Sequence, residues 1–102
     1  VVLINEYTQS AAEMWGMIFK RVPGVVFVGS QTAGADGNKT SIRLTNGNRI
    51  IFSGLGIYYP DGGETQRIGI KPDIVVRPTV SSIRNKEDLL LLKAFEIIDQ
   101  QK

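Results

Sequence analysis

An α/β fold is the expectation for this 102-residue chain, and three features of the sequence carry it. Val1-Val2-Leu3-Ile4 and Val25-Val26-Phe27-Val28 are short apolar runs of β-favouring residues, as buried strands require. Between them, apolar residues recur at helical spacing, which makes a βαβ unit with parallel strands and a right-handed crossover. After them comes Asn46-Gly47 between two alternating segments, the strongest short hairpin signal.

In chain order, residues 1–5 read as a strand covered on both faces, and 6–9 as a polar loop. Ser10 to about Val22 reads as a helix that buries Ala11, Met14, Trp15, Ile18 and Val22, ended by Pro23-Gly24. Gly16 inside it costs about 1 kcal/mol against Ala, so a neighbouring element is expected to approach closely there. Val25–Val28 is the second strand, and Gly29–Asn38 a glycine-rich loop. Thr40–Thr45 and Asn48–Ser53 are the arms of the hairpin, with Ile42 and Leu44 on one face. Gly54 and Gly56 flank a short segment that leads to Ile57-Tyr58-Tyr59. Pro60-Asp61-Gly62-Gly63 is a turn, and Ile74-Val75-Val76 a short strand closed by Pro78. Asn85 is the expected cap of a last helix from Lys86 to about Gln100. That helix is apolar nearly all round, so it is either clasped on two sides or covers something outside this chain. The second case would favour self-association, and a homo-oligomer is one expected partner state.

Composition narrows the function. A net charge of +2, scattered along the chain, argues against nucleic acid or an anionic membrane as partner, and no apolar run approaches the ~20 residues of a membrane span. There is no cysteine and no histidine, which removes disulfides, thiolate or imidazole metal sites, and any Ser-His-Asp triad made by this chain alone. A chain that opens inside a core strand, without Met, is expected to be the C-terminal part of a larger domain.

The candidate chemistry lies in Tyr7-Thr8-Gln9-Ser10-Ala11-Ala12-Glu13, between strand and helix. A serine here meets outward-pointing helix amides and the positive end of the dipole. Its hydroxyl is placed to act as nucleophile, with the Ala11 amide donating to an oxyanion. Ser10-x-x-Glu13 is equally a capping box, and the two roles compete for one hydroxyl. Lys20, ten residues on and about 15 Å away along the helix, is out of reach as a base. Lys39 could return from the glycine-rich loop; a solvated loop lysine is its plainer reading. The loop has no following helix and no Gly-Lys-Ser/Thr, so nucleotide binding is not supported. Asp36, Asn38 and Asp61 fit turns rather than a calcium loop, and no metal or other cofactor is expected.

Taken in order, the opening strand, Ser10-Ala11-Ala12-Glu13, Gly29-Ser30-Gln31-Thr32-Ala33-Gly34, the Asn-Gly hairpin, Tyr59-Pro60-Asp61-Gly62 and Gly69-Ile70-Lys71-Pro72-Asp73-Ile74 resemble one family. It is the C-terminal processing, or tail-specific, serine peptidases, which include the tricorn core protease. The resemblance spans roughly residues 1–80. It implies a crotonase- or ClpP-like α/β domain of which this chain is the C-terminal half, a peptide or protein substrate, and an extracytoplasmic or periplasmic setting. It implies Ser10 as nucleophile and the Ala11 amide in the oxyanion hole, with the upstream half supplying the second oxyanion donor, part of the groove and any upstream base. In the Ser-Lys branch the lysine follows Thr-x-Gly, where this chain has Ala35. The resemblance is therefore nearer the tricorn-like branch, which uses an upstream histidine and a downstream carboxylate. The acid position holds Gln66 here; Glu64, two residues earlier, is the candidate to orient a histidine, with an exposed turn carboxylate as its plainer reading. The chain alone is expected to be inactive. A non-catalytic binding module of the same fold, like the retinoid carriers related to this family, is the alternative.

Overall fold

The structure is a computed structural model and describes residues 1–100. Eight elements follow one another: β1 (Val2–Ile4), α1 (Ala11–Phe19), β2 (Phe27–Gly29), β3 (Lys39–Arg43), β4 (Arg49–Ser53), β5 (Ile74–Val75), α2 (Val80–Arg84) and α3 (Leu89–Gln100). The expected α/β fold is present. β1, β2 and β5 form a parallel sheet in that order, with Val2 opposite Phe27 and Val28 opposite Ile74. β3 and β4 form a separate antiparallel hairpin with Thr40 opposite Phe52 and Ile42 opposite Ile50.

The core is small: Ile4, Phe27 and Ile70, with Val2, Met17 and Val25 packed around them. Asp73 fixes the sheet at its lower end. Its carboxylate accepts from the Phe27 amide at 2.8 Å, and its own amide donates to the Phe27 carbonyl at 2.8 Å. The Gly-Ile-Lys-Pro-Asp stretch is therefore the joint between β2 and β5. Lys20, at the end of α1, closes the same corner by donating to the Lys71 carbonyl at 2.8 Å and lying 5.1 Å from the centre of the Phe27 ring.

Several elements differ from expectation, each for a physical reason. β1 is buried on one face only, since Ile4 is buried while Leu3 is 41% exposed. α1 is shorter than the periodicity suggests and is turned over. It buries Glu13 and Gly16, while Trp15 and Ile18 remain more than half exposed. The predicted close approach at Gly16 is what turns it: a Cβ there would stand 2.5 Å from Ile70 Cδ1. Asn85 is the C-cap of α2, a helix hidden from periodicity because its start depends on Thr79 accepting from the Ser82 amide at 3.0 Å. α3 starts later, at Leu89, with the Asp88 carboxylate accepting from the Leu91 amide at 3.0 Å. One face of α3 packs on β1 and β2, while Leu92 and Phe95 stay exposed; it is not clasped on two sides.

The molecule is extended, 59 × 37 × 16 Å, with a radius of gyration of 17.2 Å against about 13 Å for a compact domain of this length. The hairpin is the outlying arm, and all ten of its strand residues are exposed. Among the described residues, no helix is long and apolar enough to cross a membrane.

Gly29 ends β2 at a φ of 135°, and a Cβ there would collide with the Ile4 carbonyl oxygen, backbone that cannot yield. Gly29→Ala is expected to cost about 3 kcal/mol or more. Gly47→Ala, at a φ of 85° but in open space, is expected to cost only about 1–2 kcal/mol. Urea unfolding of the two variants side by side measures the difference.

Candidate active site

Ser10 stands at the junction of loop and α1 with φ 55° and ψ −123°, a backbone conformation that a non-glycine residue adopts only when its surroundings impose it. Its hydroxyl takes no side-chain cap bond, although Ser10 and Glu13 stand in the capping-box arrangement. The Glu13 amide donates instead to the Ser10 carbonyl at 2.9 Å. The competition between cap and free hydroxyl is thus resolved through the backbone. Ala11, the first helical residue, has an amide with no partner inside the helix, and none elsewhere among the described residues. Both the hydroxyl and this amide are available at one helix start.

The imposing group is Glu13. Its side chain is fully buried, and its carboxylate accepts four hydrogen bonds. Oε1 receives the Thr32 hydroxyl at 2.5 Å and the Gly34 amide at 2.8 Å. Oε2 receives the Ala35 amide at 2.9 Å and the Ser10 amide at 3.2 Å. Burial of a carboxylate is tolerated only with donors of this number and quality. The Ser10 amide also donates to the Ala35 carbonyl at 3.1 Å, and the Ala33 amide to the Thr8 carbonyl at 3.0 Å. The glycine-rich loop is therefore stitched to both sides of the serine. Thr32 extends the network: its Oγ1 accepts from the Ile70 amide at 2.7 Å. Sequence reading took Glu13 for a cap only. Its larger role depends on loop donors some twenty residues away, which spacing does not reveal.

A cavity of about 520 Å³ opens at the serine, lined by Gln9, Ser10, Ala35, Asn38, Lys39 and Ser53 among others. Lys39 is thus brought to the Ser10 cavity and Lys20 is not. Glu64 is not brought to it either. It is exposed, bridged to Tyr58, and lines a separate cavity with Tyr59, Asp61 and Lys71. In that cavity burial, then the Asp61, Glu13 and Asp36 charges, hold the Tyr59 phenol above its ordinary value. Gln66 lies nearer the loop, donating to the Asp36 carbonyl at 2.9 Å and the Leu55 carbonyl at 2.7 Å. Asp36 is buried, and its carboxylate accepts from the Gly37 amide at 2.7 Å. It stands in the irregular loop before β3, and no cluster of metal-ligating groups is present among the described residues.

Past the C-terminal ends of the parallel strands, Glu6, Ser30 and Arg77 line another cavity. The Ser30 hydroxyl donates to Glu6 at 2.6 Å. This bond, followed by the backbone amide and the Arg77 charge, holds the Glu6 carboxyl below its ordinary 4.5.

A serine at the first strand–helix junction of a parallel sheet, with a free amide beside it, is an arrangement that serine hydrolases use. Residues 1–76 match peptidase family S41, and the chain belongs to that family of serine peptidases. Similar solved structures include a candidate peptidase from Parabacteroides merdae ATCC 43184, at 26% identity and a TM-score of 0.84, over 94% of this chain and 31% of that one. Mature CPAF in complex with lactacystin is 27% identical, with a TM-score of 0.82, over 98% of this chain and 20% of that one. The photosystem II D1 C-terminal processing protease is 28% identical, with a TM-score of 0.60, over 76% and 20%. The chain therefore spans less than a third of the length of these relatives. No curated protein matches it. The fold resemblance drawn from the sequence is that of the family found.

Two stability measurements test this site. Glu13→Ala leaves the Thr32 hydroxyl and the Gly34 and Ala35 amides without an acceptor and is expected to cost about 3–5 kcal/mol, with Glu13→Gln intermediate, as read by urea unfolding. The contribution of Glu6 is complete above pH 4.5 and is lost as pH falls through its lowered folded value. Glu6→Gln should therefore lower stability at neutral pH, where the contribution is complete, and flatten the acid side of the profile, where the wild type loses it.

Proposed function

We propose that this chain is the serine-bearing part of a serine peptidase domain that hydrolyses peptide bonds through an acyl-enzyme on Ser10. The observation that carries the reading is the enforced left-handed φ of Ser10 beside the unpartnered Ala11 amide. Ser10 Oγ attacks the scissile carbonyl carbon as its proton passes to a base. The carbonyl oxygen, now an oxyanion, accepts from the Ala11 amide. The intermediate collapses, the C–N bond breaks and the leaving amine takes the proton. Water then repeats the sequence on the ester and frees Ser10.

The base must come from outside these residues, since the chain has no histidine and Ala35 occupies the family's lysine position. Lys39 lines the cavity but is exposed, and a lysine acts as a base at neutral pH only when desolvated. In this scheme the rest of the domain supplies the histidine, and Glu64 orients it. The same division of parts predicts that the 102-residue chain by itself is inactive.

Fluorophosphonate labelling of the natural full-length protein tests this directly. Wild type should be labelled, Ser10→Ala should not, and Glu64→Gln should react at least about tenfold more slowly, as a histidine without its carboxylate partner does. Equal rates for Glu64→Gln would remove Glu64 from the scheme. A folded wild type that takes no label would favour the non-catalytic binding module, to which the Ala35 and Gln66 substitutions already point.

A further inference from the structure

The hairpin has two unlike faces. By register and alternation, Thr40, Ile42, Ile50 and Phe52 share one face, which is apolar. Lys39, Ser41, Arg43, Arg49, Ile51 and Ser53 share the other. This second face is continuous with the Ser10 cavity, because its end pair, Lys39 opposite Ser53, lines that cavity. Lys39 is the one charged side chain in the cavity lining.

We propose that this face, running from the Ser10 cavity to the hairpin tip, is a binding track for an extended acidic peptide segment; the proposal deepens the peptidase reading and rests on it. Three observations support the choice of ligand. Residues 39–53 hold three cations, Lys39, Arg43 and Arg49, and no acid. All three are exposed, and none is in an ion pair among the described residues. Arg43 and Arg49 stand directly opposite one another across the strands, where like charges repel. That repulsion is unrelieved within the hairpin, and a ligand carboxylate between the two guanidinium groups relieves it. Glu13 and Asp36, which flank the loop leading to the hairpin, are buried and already accept hydrogen bonds from that loop.

The geometry also sets a spacing. Lys39 and Arg43 are four residues apart on one strand, about 13–14 Å. An extended peptide covers that distance in about four residues. The track therefore suits one acidic residue close to the scissile bond and a second about four residues further along. Arginine forks favour carboxylates over other acceptors, which makes the tip the stronger end.

The test uses the full-length protein carrying Ser10→Ala, so that bound peptide is not consumed, and two fluorescent twelve-residue peptides. One has two glutamates four residues apart, and its twin has glutamines there. Fluorescence anisotropy at about 50 mM salt should give the glutamate peptide about tenfold tighter binding, since three exposed pairs contribute a factor of up to about five each. The preference should shrink at about 0.5 M salt. A charge-reversed protein, Lys39→Glu/Arg43→Glu/Arg49→Glu, should instead prefer a peptide with lysines at the two positions, a reversal that a misfolded variant would not show. Equal binding of both peptides, no binding of either, or an unreversed preference overturns the proposal. Fluorophosphonate labelling keeps the two readings apart. Labelling without acidic preference removes the track alone, whereas acidic preference without labelling keeps the track and removes the peptidase.

Discussion

One buried carboxylate holds the serine-bearing end of this molecule together. Glu13 accepts from the Thr32 hydroxyl and from the amides of Gly34, Ala35 and Ser10, so helix, loop and serine meet on two oxygen atoms. Thr32 passes the constraint to Ile70, whose side chain lies against Gly16 one turn further along the same helix. The result is a closed circuit from α1 to the loop, to the strand-joining segment, and back to α1. A chain with three buried apolar residues in its main cluster has little hydrophobic packing with which to define the position of a loop. Charge-assisted hydrogen bonds supply the definition instead, at the cost of desolvating an acid.

That circuit explains how Ser10 can stand in an unfavourable conformation. A left-handed φ at a serine costs about 1–3 kcal/mol by itself. Here the Ser10 amide is held by the Ala35 carbonyl and the Glu13 carboxylate together. Relaxing the serine would therefore break bonds at the loop. The strain and the exposed hydroxyl have one origin in the Glu13 network.

Much of the architecture was legible because it rests on short-range pattern. The βαβ unit followed from two β-branched runs around a helical spacing, and the hairpin from Asn46-Gly47. The close approach at Gly16 followed from the cost of glycine in a helix. Ser10 was legible as a candidate because helix starts have few residue types and few roles. What escaped was tertiary. The apolar residues of α1 pointed to the wrong face, because the buried line is Glu13 and Gly16, a charge and a void that hydrophobic periodicity ignores. α2 escaped because Thr79 and Ser82 bond reciprocally across one turn, without an apolar stripe. Glu13 looked like half of a capping box, since nothing local announces donors that arrive from residues 32–35.

The hairpin turn carries a consequence of its own. Asn46 accepts from the Asn48 amide at 3.0 Å, and the Gly47 amide donates to the Leu44 carbonyl at 3.0 Å, which fixes the pairing of the two arms. Because side chains alternate, a slip of one residue in either arm would carry that arm's entire set to the opposite side. On β4, Ile50 and Phe52 would change places with Arg49 and Ile51, mixing oil and charge on both surfaces at once. A small turn far from the serine thus acts as the index pin of the arm: it decides which side of a two-sided blade is wet and cationic and which is greasy.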